Sequence, residues 1–170
     1  MQTRVTHGFT LLEVLVALLV LSVGILGAAG TQLASLRTHQ GSALLSNGVR
    51  LASTLAERMR ANGGQDAYLQ LDYAAAGGAP PGARPCYAGA ICSSAELAAF
   101  DLDETMQTVH GGFPGGRVRV CRDAAASLDW ACSGAAGAAL VIKLGWLQRT
   151  ADGTWRTTPA LAMVVDGGAP

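Results

Sequence analysis

The chain has 170 residues, 12 basic and 12 acidic side chains, no net formal charge and a hydrophobic fraction of 50%. That length holds one domain beside a long helix. The charge balance argues against a globally basic nucleic-acid binder. Eleven of the 12 basic residues are arginine, and Lys143 is the single lysine, from which no function follows.

Met1 to Gly8 is a polar segment whose one full charge is Arg4. The bias of basic residues toward cytoplasmic flanks places this end in the cytoplasm. From Val14 to Leu36 no residue is charged, a run of 23. A helix crosses the hydrocarbon core with about 20 residues, and it can do so because it satisfies its own backbone hydrogen bonds. The run therefore predicts one transmembrane helix, with the remainder of the chain in the periplasm. Glu13 does not suit a plain anchor. A carboxylate at depth costs about 2.5–3.5 kcal/mol on insertion scales, and it usually has a partner. The nearest basic residue in sequence is Arg4, beyond Gly8. A cut after Gly8 would turn the Phe9 amine into a cation near Glu13, in the same chain or in a neighbour offset along its axis. A secretory signal would carry an apolar run of only about 7–15 residues. Ala28-Ala29-Gly30 could serve as its cleavage site, but the run is too long and Glu13 is misplaced.

Gly8-Phe9-Thr10-Leu11-Leu12-Glu13, followed by the long apolar run, resembles the class III signal of type IV pilins and pseudopilins. The resemblance implies a prepilin peptidase that cuts between Gly8 and Phe9 and methylates the new N-terminus. It also implies that Glu13 neutralises the Phe9 amine of an adjacent subunit during filament assembly.

Arg37 to Arg60 contains no proline; the first proline is Pro80. Leu44, Leu51, Leu55 and Met59 recur at helical spacing, flanked by Leu45, Val49, Ala52 and Ala56. Asn47, Arg50, Thr54, Glu57 and Arg58 fall on the opposite side. This predicts an amphipathic continuation of the helix, able to pack on a sheet, with Asn62-Gly63-Gly64 as its stop. Phe9 to Arg60 is 52 residues, or about 78 Å of helix. Each internal glycine costs about 1 kcal/mol relative to alanine, so Gly24–Gly30 is where a bend or local melting is expected. Close packing between membrane helices is the other reading of those glycines.

Gln65 to Pro85 reads as a loop, with a weak turn or short helix around Tyr68–Tyr73. Cys86 to Cys92 is a short looped segment. Ser94 to Thr108 reads as a helix capped by Ser94, with Leu97, Phe100 and Met106 apolar. Asp101, Asp103 and Glu104 are expected on a solvated face, because their spacing lacks the glycine and pattern of a calcium loop. Gly111 to Gly116 is a turn without the Lys-Ser/Thr of a phosphate loop. Arg117 to Asp123 alternates as a strand, with Val118 and Val120 on one side and Arg117, Arg119 and Cys121 on the other. Ala124 to Gly137 is a loop carrying Asp129, Trp130 and Cys132. Ala138 to Leu147 is a strand with Leu140, Ile142, Leu144 and Trp146 on one face. Asp152-Gly153 marks a turn, and Leu161 to Val165 is a third strand. The expected fold class is α+β: a long N-terminal helix packed on a small antiparallel sheet.

The cysteines are Cys86, Cys92, Cys121 and Cys132. An even number in an exported domain suggests disulfides, and four cysteines admit three pairings. Local pairing, Cys86 with Cys92 and Cys121 with Cys132, is the expectation. Zinc is the weaker reading, since the gaps of five and ten residues miss the usual ligand spacing.

The order of elements resembles the pilin fold. Glu57-Arg58-Met59-Arg60-Ala61-Asn62 resembles the PilV group of minor pilins, the type IV pilus modification proteins. So do Cys92 with Ala95 to Leu102, Pro114-Gly115-Gly116, and Val120-Cys121-Arg122-Asp123. Val141 to Trp146 matches a paired-strand motif of that group, with Gly145 where a bulky residue is more usual. Gly30 stands where major pilins often carry proline, which puts a proline-style kink in doubt. The resemblance implies a leader at 1–8, a transmembrane and assembly helix at 9–36, and a periplasmic domain at 37–170. It implies a minor pilin in the inner membrane, and then at the pilus tip, that primes assembly and supports twitching motility and adhesion. Its partners would be other minor pilins, the major pilin, the prepilin peptidase, the inner-membrane assembly platform and, before assembly, membrane lipid. No cofactor or metal is expected. A minor pseudopilin of a type II secretion system is the alternative. An enzyme is rejected, because His7, His39 and His110 belong to no catalytic motif. A DNA or surface ligand would rest on Arg117, Arg119 and Arg122 beside Trp130 and Trp155, although arginines on a strand more often form an ordinary polar face.

Overall fold

The computed structural model describes residues 8, 10–62, 65–150 and 152–166. Most of the expected leader, Phe9 and the Gly63-Gly64 part of the expected helix stop lie outside the described residues. The chain divides into two compact units, Met1–Ser42 and Ala43–Pro170.

The first unit is the beginning of helix α1, Leu11–Ala61. Its helical run is unbroken through Gly24, Gly27 and Gly30, so the local melting expected there does not occur. The hydroxyls within the apolar run fold back onto the helix. Ser22 donates to the Leu19 carbonyl and Thr31 to the Ala28 carbonyl, each at 2.8 Å. Those bonds leave few polar groups in need of outside partners, which is what an apolar surround requires.

The second unit contains the C-terminal part of α1 and a four-stranded sheet. The strands are β1 (Asp72–Ala74), β2 (Arg117–Arg122), β3 (Leu140–Gly145) and β4 (Leu161–Asp166). They are ordered β1-β2-β3-β4, and every pair is antiparallel. Helix α2 spans Ser94–Gly112, between β1 and β2. Along α1, Ala52, Leu55, Ala56 and Met59 are buried. They share a core with Val118 and Val120 of β2 and with Leu140, Ile142 and Leu144 of β3. Burying a side chain such as Leu55 contributes about 1.5–3 kcal/mol, so this stripe dominates the attachment of helix to sheet. The helix runs alongside β4: Gly48 lies beside Leu161, Ser53 beside Met163, and Arg60 donates to the Val165 carbonyl at 3.0 Å.

Five expectations need correction. The stretch 65–85, read as a loop with a weak turn or short helix around Tyr68–Tyr73, has its short helix at Gln65–Gln70, a 3-10 helix, and also holds the unexpected strand β1. Asp72–Ala74 has no apolar alternation of its own; it becomes a strand by pairing with Arg117–Arg119 of β2. Helix α2 is capped by Ser93 rather than Ser94. The Ser93 hydroxyl accepts from the Glu96 N–H while the Glu96 carboxylate accepts from the Ser93 N–H. That helix also continues past Thr108 into Gly111 and Gly112, which were expected in a turn. Asp101, expected on a solvated face, is buried at 4% exposure. Its carboxylate accepts from the Tyr68 hydroxyl at 2.6 Å and from Arg58 at 3.0 Å. Arg58, expected on the outer side of α1, turns toward α2 and also pairs with Glu104.

Asn62 completes this junction by donating to the Tyr68 hydroxyl at 3.2 Å and to the Ser94 carbonyl at 2.8 Å. Burial, with Asp101 beside it, pushes the Tyr68 hydroxyl up to about 12, so it stays protonated and keeps donating. Asp101→Ala should leave the buried Tyr68 hydroxyl without its acceptor. The expected loss is about 1–3 kcal/mol of folding stability, read as a lower thermal midpoint of the detergent-solubilised chain. An unchanged midpoint would show that the junction contributes nothing.

Candidate functional site

Two regions carry functional candidates, one in each compact unit. In the first, Gly8 is exposed and Phe9 lies outside the described residues. Thr10 begins the helix: its hydroxyl accepts from the Glu13 N–H at 3.3 Å, and its carbonyl accepts from the Glu13 and Val14 N–H groups. Thr10 thus caps the helix, and Glu13 stands at the third helical position. A carboxylate in the first turn is favoured by the partial positive charge of the helix N-terminus. Among the described residues, no side chain pairs with that carboxylate. Around it the helix surface is apolar and open, with Leu11 90% and Leu12 74% exposed. Among the described residues α1 is the one helix long and apolar enough to cross a membrane.

In the second unit, Cys86 is bonded to Cys92, and Cys121 to Cys132. The Cys121–Cys132 link closes a loop over the face of the sheet opposite α1. Beneath the loop lies Lys143, fully buried in the middle of β3. Its ammonium is 2.6 Å from Asp123 and 3.8 Å from Asp129, and it donates to Ser127 and to the Ala131 carbonyl. A buried ammonium needs that many partners, because an unpaired charge in an apolar interior is too costly. Trp130, on the same loop, donates its indole N–H to the Thr157 carbonyl at 2.7 Å. Its ring lies against Gly145, where an added Cβ would come within 3.0 Å of it. The absence of a side chain at Gly145 therefore leaves room for Trp130.

The arginines of β2 are occupied. Arg117 forks onto Asp72 and stacks over Trp130, 4.5 Å from its ring centre. Arg119 donates to the Trp130 carbonyl, and Arg122 pairs with Asp66 at 2.8 Å. They tie strand to loop, which leaves little charge to offer a phosphate backbone. Trp155 is 54% exposed, with Arg149 stacked on it across a turn organised by Asp152.

A family model described as the prokaryotic N-terminal methylation motif matches residues 3–29. A second, described as type IV pilin Tt1218, matches residues 30–103. The chain is a type IV pilin. No curated protein and no solved structure matches it. The pilin family is structural rather than enzymatic. Its methylation motif and apolar N-terminal helix connect this pilin to a membrane, to a pilus and to a processing peptidase. The two family models together run from residue 3 to residue 103, so they cover Gly8, Phe9, Glu13 and the Asp101 junction but not the sheet beyond β1.

The Lys143 centre was not anticipated. Its signal was present, as the chain's single lysine in the otherwise apolar stretch Val141 to Trp146, but a lysine alone does not say which acid it meets. The hydrogen bond from Lys143 holds the Asp123 carboxyl below the usual carboxylate range, against the opposing effect of burial, with the Ala125 N–H assisting. A lowered carboxyl contributes stability that is present above its unfolded value of about 3.9. That contribution is lost as pH falls through the lower folded value. The thermal midpoint of the solubilised pilin should therefore drop as the medium is acidified below about pH 4. Asp123→Asn should start lower at neutral pH and show a shallower acid slope, measured by scanning fluorimetry across pH. Parallel slopes would remove Asp123 from the acid response.

Proposed function

We propose that this pilin is a minor pilin of the PilV group. It is cut between Gly8 and Phe9, held in the inner membrane by the start of α1, and built into the pilus, where it primes assembly. In this reading the leader is 1–8, the membrane and assembly helix 9–36, and the periplasmic domain 37–170. The observation that carries it is Glu13: a carboxylate without a side-chain partner among the described residues, at the capped start of an exposed apolar helix, inside a methylation motif. The free amine of Phe9 on a neighbouring subunit would offset its cost through a charge-assisted hydrogen bond. The segment Glu57 to Asn62, which carries the likeness to the PilV group, supports the same reading. Met59 is buried, and Arg58, Arg60 and Asn62 reach α2, β4 and the 3-10 helix respectively. Other minor pilins, the major pilin and the assembly platform are the proposed partners, and twitching motility and adhesion the proposed outputs.

N-terminal sequencing of the membrane-bound protein should begin at Phe9; an uncut Met1, or a start at Thr31, contradicts the processing. Glu13→Ala should deplete the subunit from sheared pili while its membrane abundance and both disulfides stay at wild-type levels. Glu13→Asp should restore part of the content, because the charge persists with a shorter reach. Wild-type pilus content of the alanine variant would exclude the pairing role.

A further inference from the structure

Between β3 and β4 the chain folds back on itself in a narrow ribbon. Arg149 and Trp155 lie opposite each other across it, as an antiparallel bridge. The Thr150 N–H donates to the Thr154 carbonyl and the Arg156 N–H to the Gln148 carbonyl, each at 2.9 Å. At the tip, the Asp152 carboxylate pairs with the Thr150 hydroxyl and accepts from the Thr154 hydroxyl and N–H. A carboxylate bonded onto its own turn in this way fixes the backbone around it.

The chain's three tryptophans are used differently. Trp146 is 3% exposed, and Trp130 gives its indole N–H to the Thr157 carbonyl. Trp155 is 54% exposed, and among the described residues its indole N–H meets no acceptor. The Arg149 guanidinium lies over its ring, 5.3 Å from the centre. With one face covered, that exposure leaves the other face open to solvent. Arg149 itself has no carboxylate partner among the described residues. A lone exposed aromatic side chain needs no explanation. Here a rigid ribbon holds an open indole face, a free indole donor and an unpaired guanidinium side by side.

We propose that Trp155 and Arg149 bind an acidic polysaccharide, a chain of sugars that carry carboxylates. One sugar packs the C–H face of its ring on the open indole face. The indole N–H donates to one of its oxygens. The carboxylate of the next sugar passes the ring edge and takes paired hydrogen bonds from the guanidinium. A protein partner fits less well. Aromatic anchors of protein interfaces sit in dry, well-packed surroundings, whereas Asp152, Gly153, Thr154 and Thr157 are exposed and polar or small. The exposed Leu147 lies against Gly115 instead. A nucleic acid also fits less well, because its backbone is held by several cations and this bridge presents one. The site goes beyond the assembly role and gives the adhesion proposed above a class of ligand. It is testable in the solubilised chain, whether or not that chain enters pili.

The probe is polygalacturonate, added to the detergent-solubilised full chain. Dextran is the neutral sugar chain, polyglutamate the carboxylate chain without sugar, and a thymidine oligonucleotide the single-stranded nucleic acid. Polygalacturonate should bind and shift the tryptophan fluorescence, and the other three should do neither at the same concentration. Trp155→Ala and Arg149→Gln should each weaken binding by about ten-fold, the equivalent of one lost stacking or paired contact. Trp155→Tyr should recover most of the first loss. The thermal midpoint and both disulfides should stay at wild-type values, since both side chains are exposed. If Trp155→Ala lowers the midpoint, Trp155→Tyr and Arg149→Gln carry the comparison. Absence of polygalacturonate binding overturns the proposal, as does wild-type affinity in the Trp155 and Arg149 variants. Equal binding of dextran removes the carboxylate from recognition, and equal binding of polyglutamate or the oligonucleotide removes the sugar; each overturns it too. None of these results bears on the assembly reading, which stands or falls on Glu13.

Discussion

Asp101 sits where three elements meet, and its carboxylate is what they share. Arg58 reaches it from α1, Tyr68 from the 3-10 helix, and its own backbone belongs to α2. Hydrophobic burial draws α1 and α2 onto the sheet, but apolar contact alone is tolerant of sliding. A carboxylate that is 4% exposed is not tolerant: each lost partner leaves a buried polar group unmet. The junction therefore sets how far along α1 the other elements attach. Arg60 on the Val165 carbonyl and Asn62 on the Ser94 carbonyl hold the same register from either side.

The opposite face of the sheet is held by a second polar centre under a covalent tie. All six residues of β3 are buried, Leu140, Ile142 and Leu144 in the core shared with α1 and Lys143 under the Cys121–Cys132 loop. A long irregular loop cannot build a core of its own. Here a disulfide limits its excursions, an ammonium collects its carboxylates and carbonyls, and Trp130 packs into the space left by Gly145. The arginines of β2 serve the same closure, which explains why a basic strand need not mean a nucleic-acid surface.

The apolar residues of the chain have two separate uses. In the second unit they are removed from water by each other, around Leu55, Met59 and Ile142. In the first unit they stay exposed along α1, with lipid or neighbouring helices as their natural surround. Glu13 belongs to neither use: it stands in the first turn of the helix, where the partial positive charge of the helix N-terminus favours a carboxylate.

The sequence by itself determined the long helix, its uncharged run and the misplaced Glu13, because length, charge and signal motifs are local properties. It determined the apolar stripe through Leu55 and Met59 and the alternation in β2 and β3, because period follows from backbone geometry. Tertiary structure alone decided β1, since Asp-Tyr-Ala becomes a strand only when β2 lies beside it. It decided that Asp101 is buried while Leu45 and Val49 are exposed, against the usual preference of each type. It decided the partners of Lys143, which come from a loop whose course no periodicity records. A single residue's polarity is visible in the chain. What covers it depends on elements tens of residues away, and contact between them is settled only when the whole core closes.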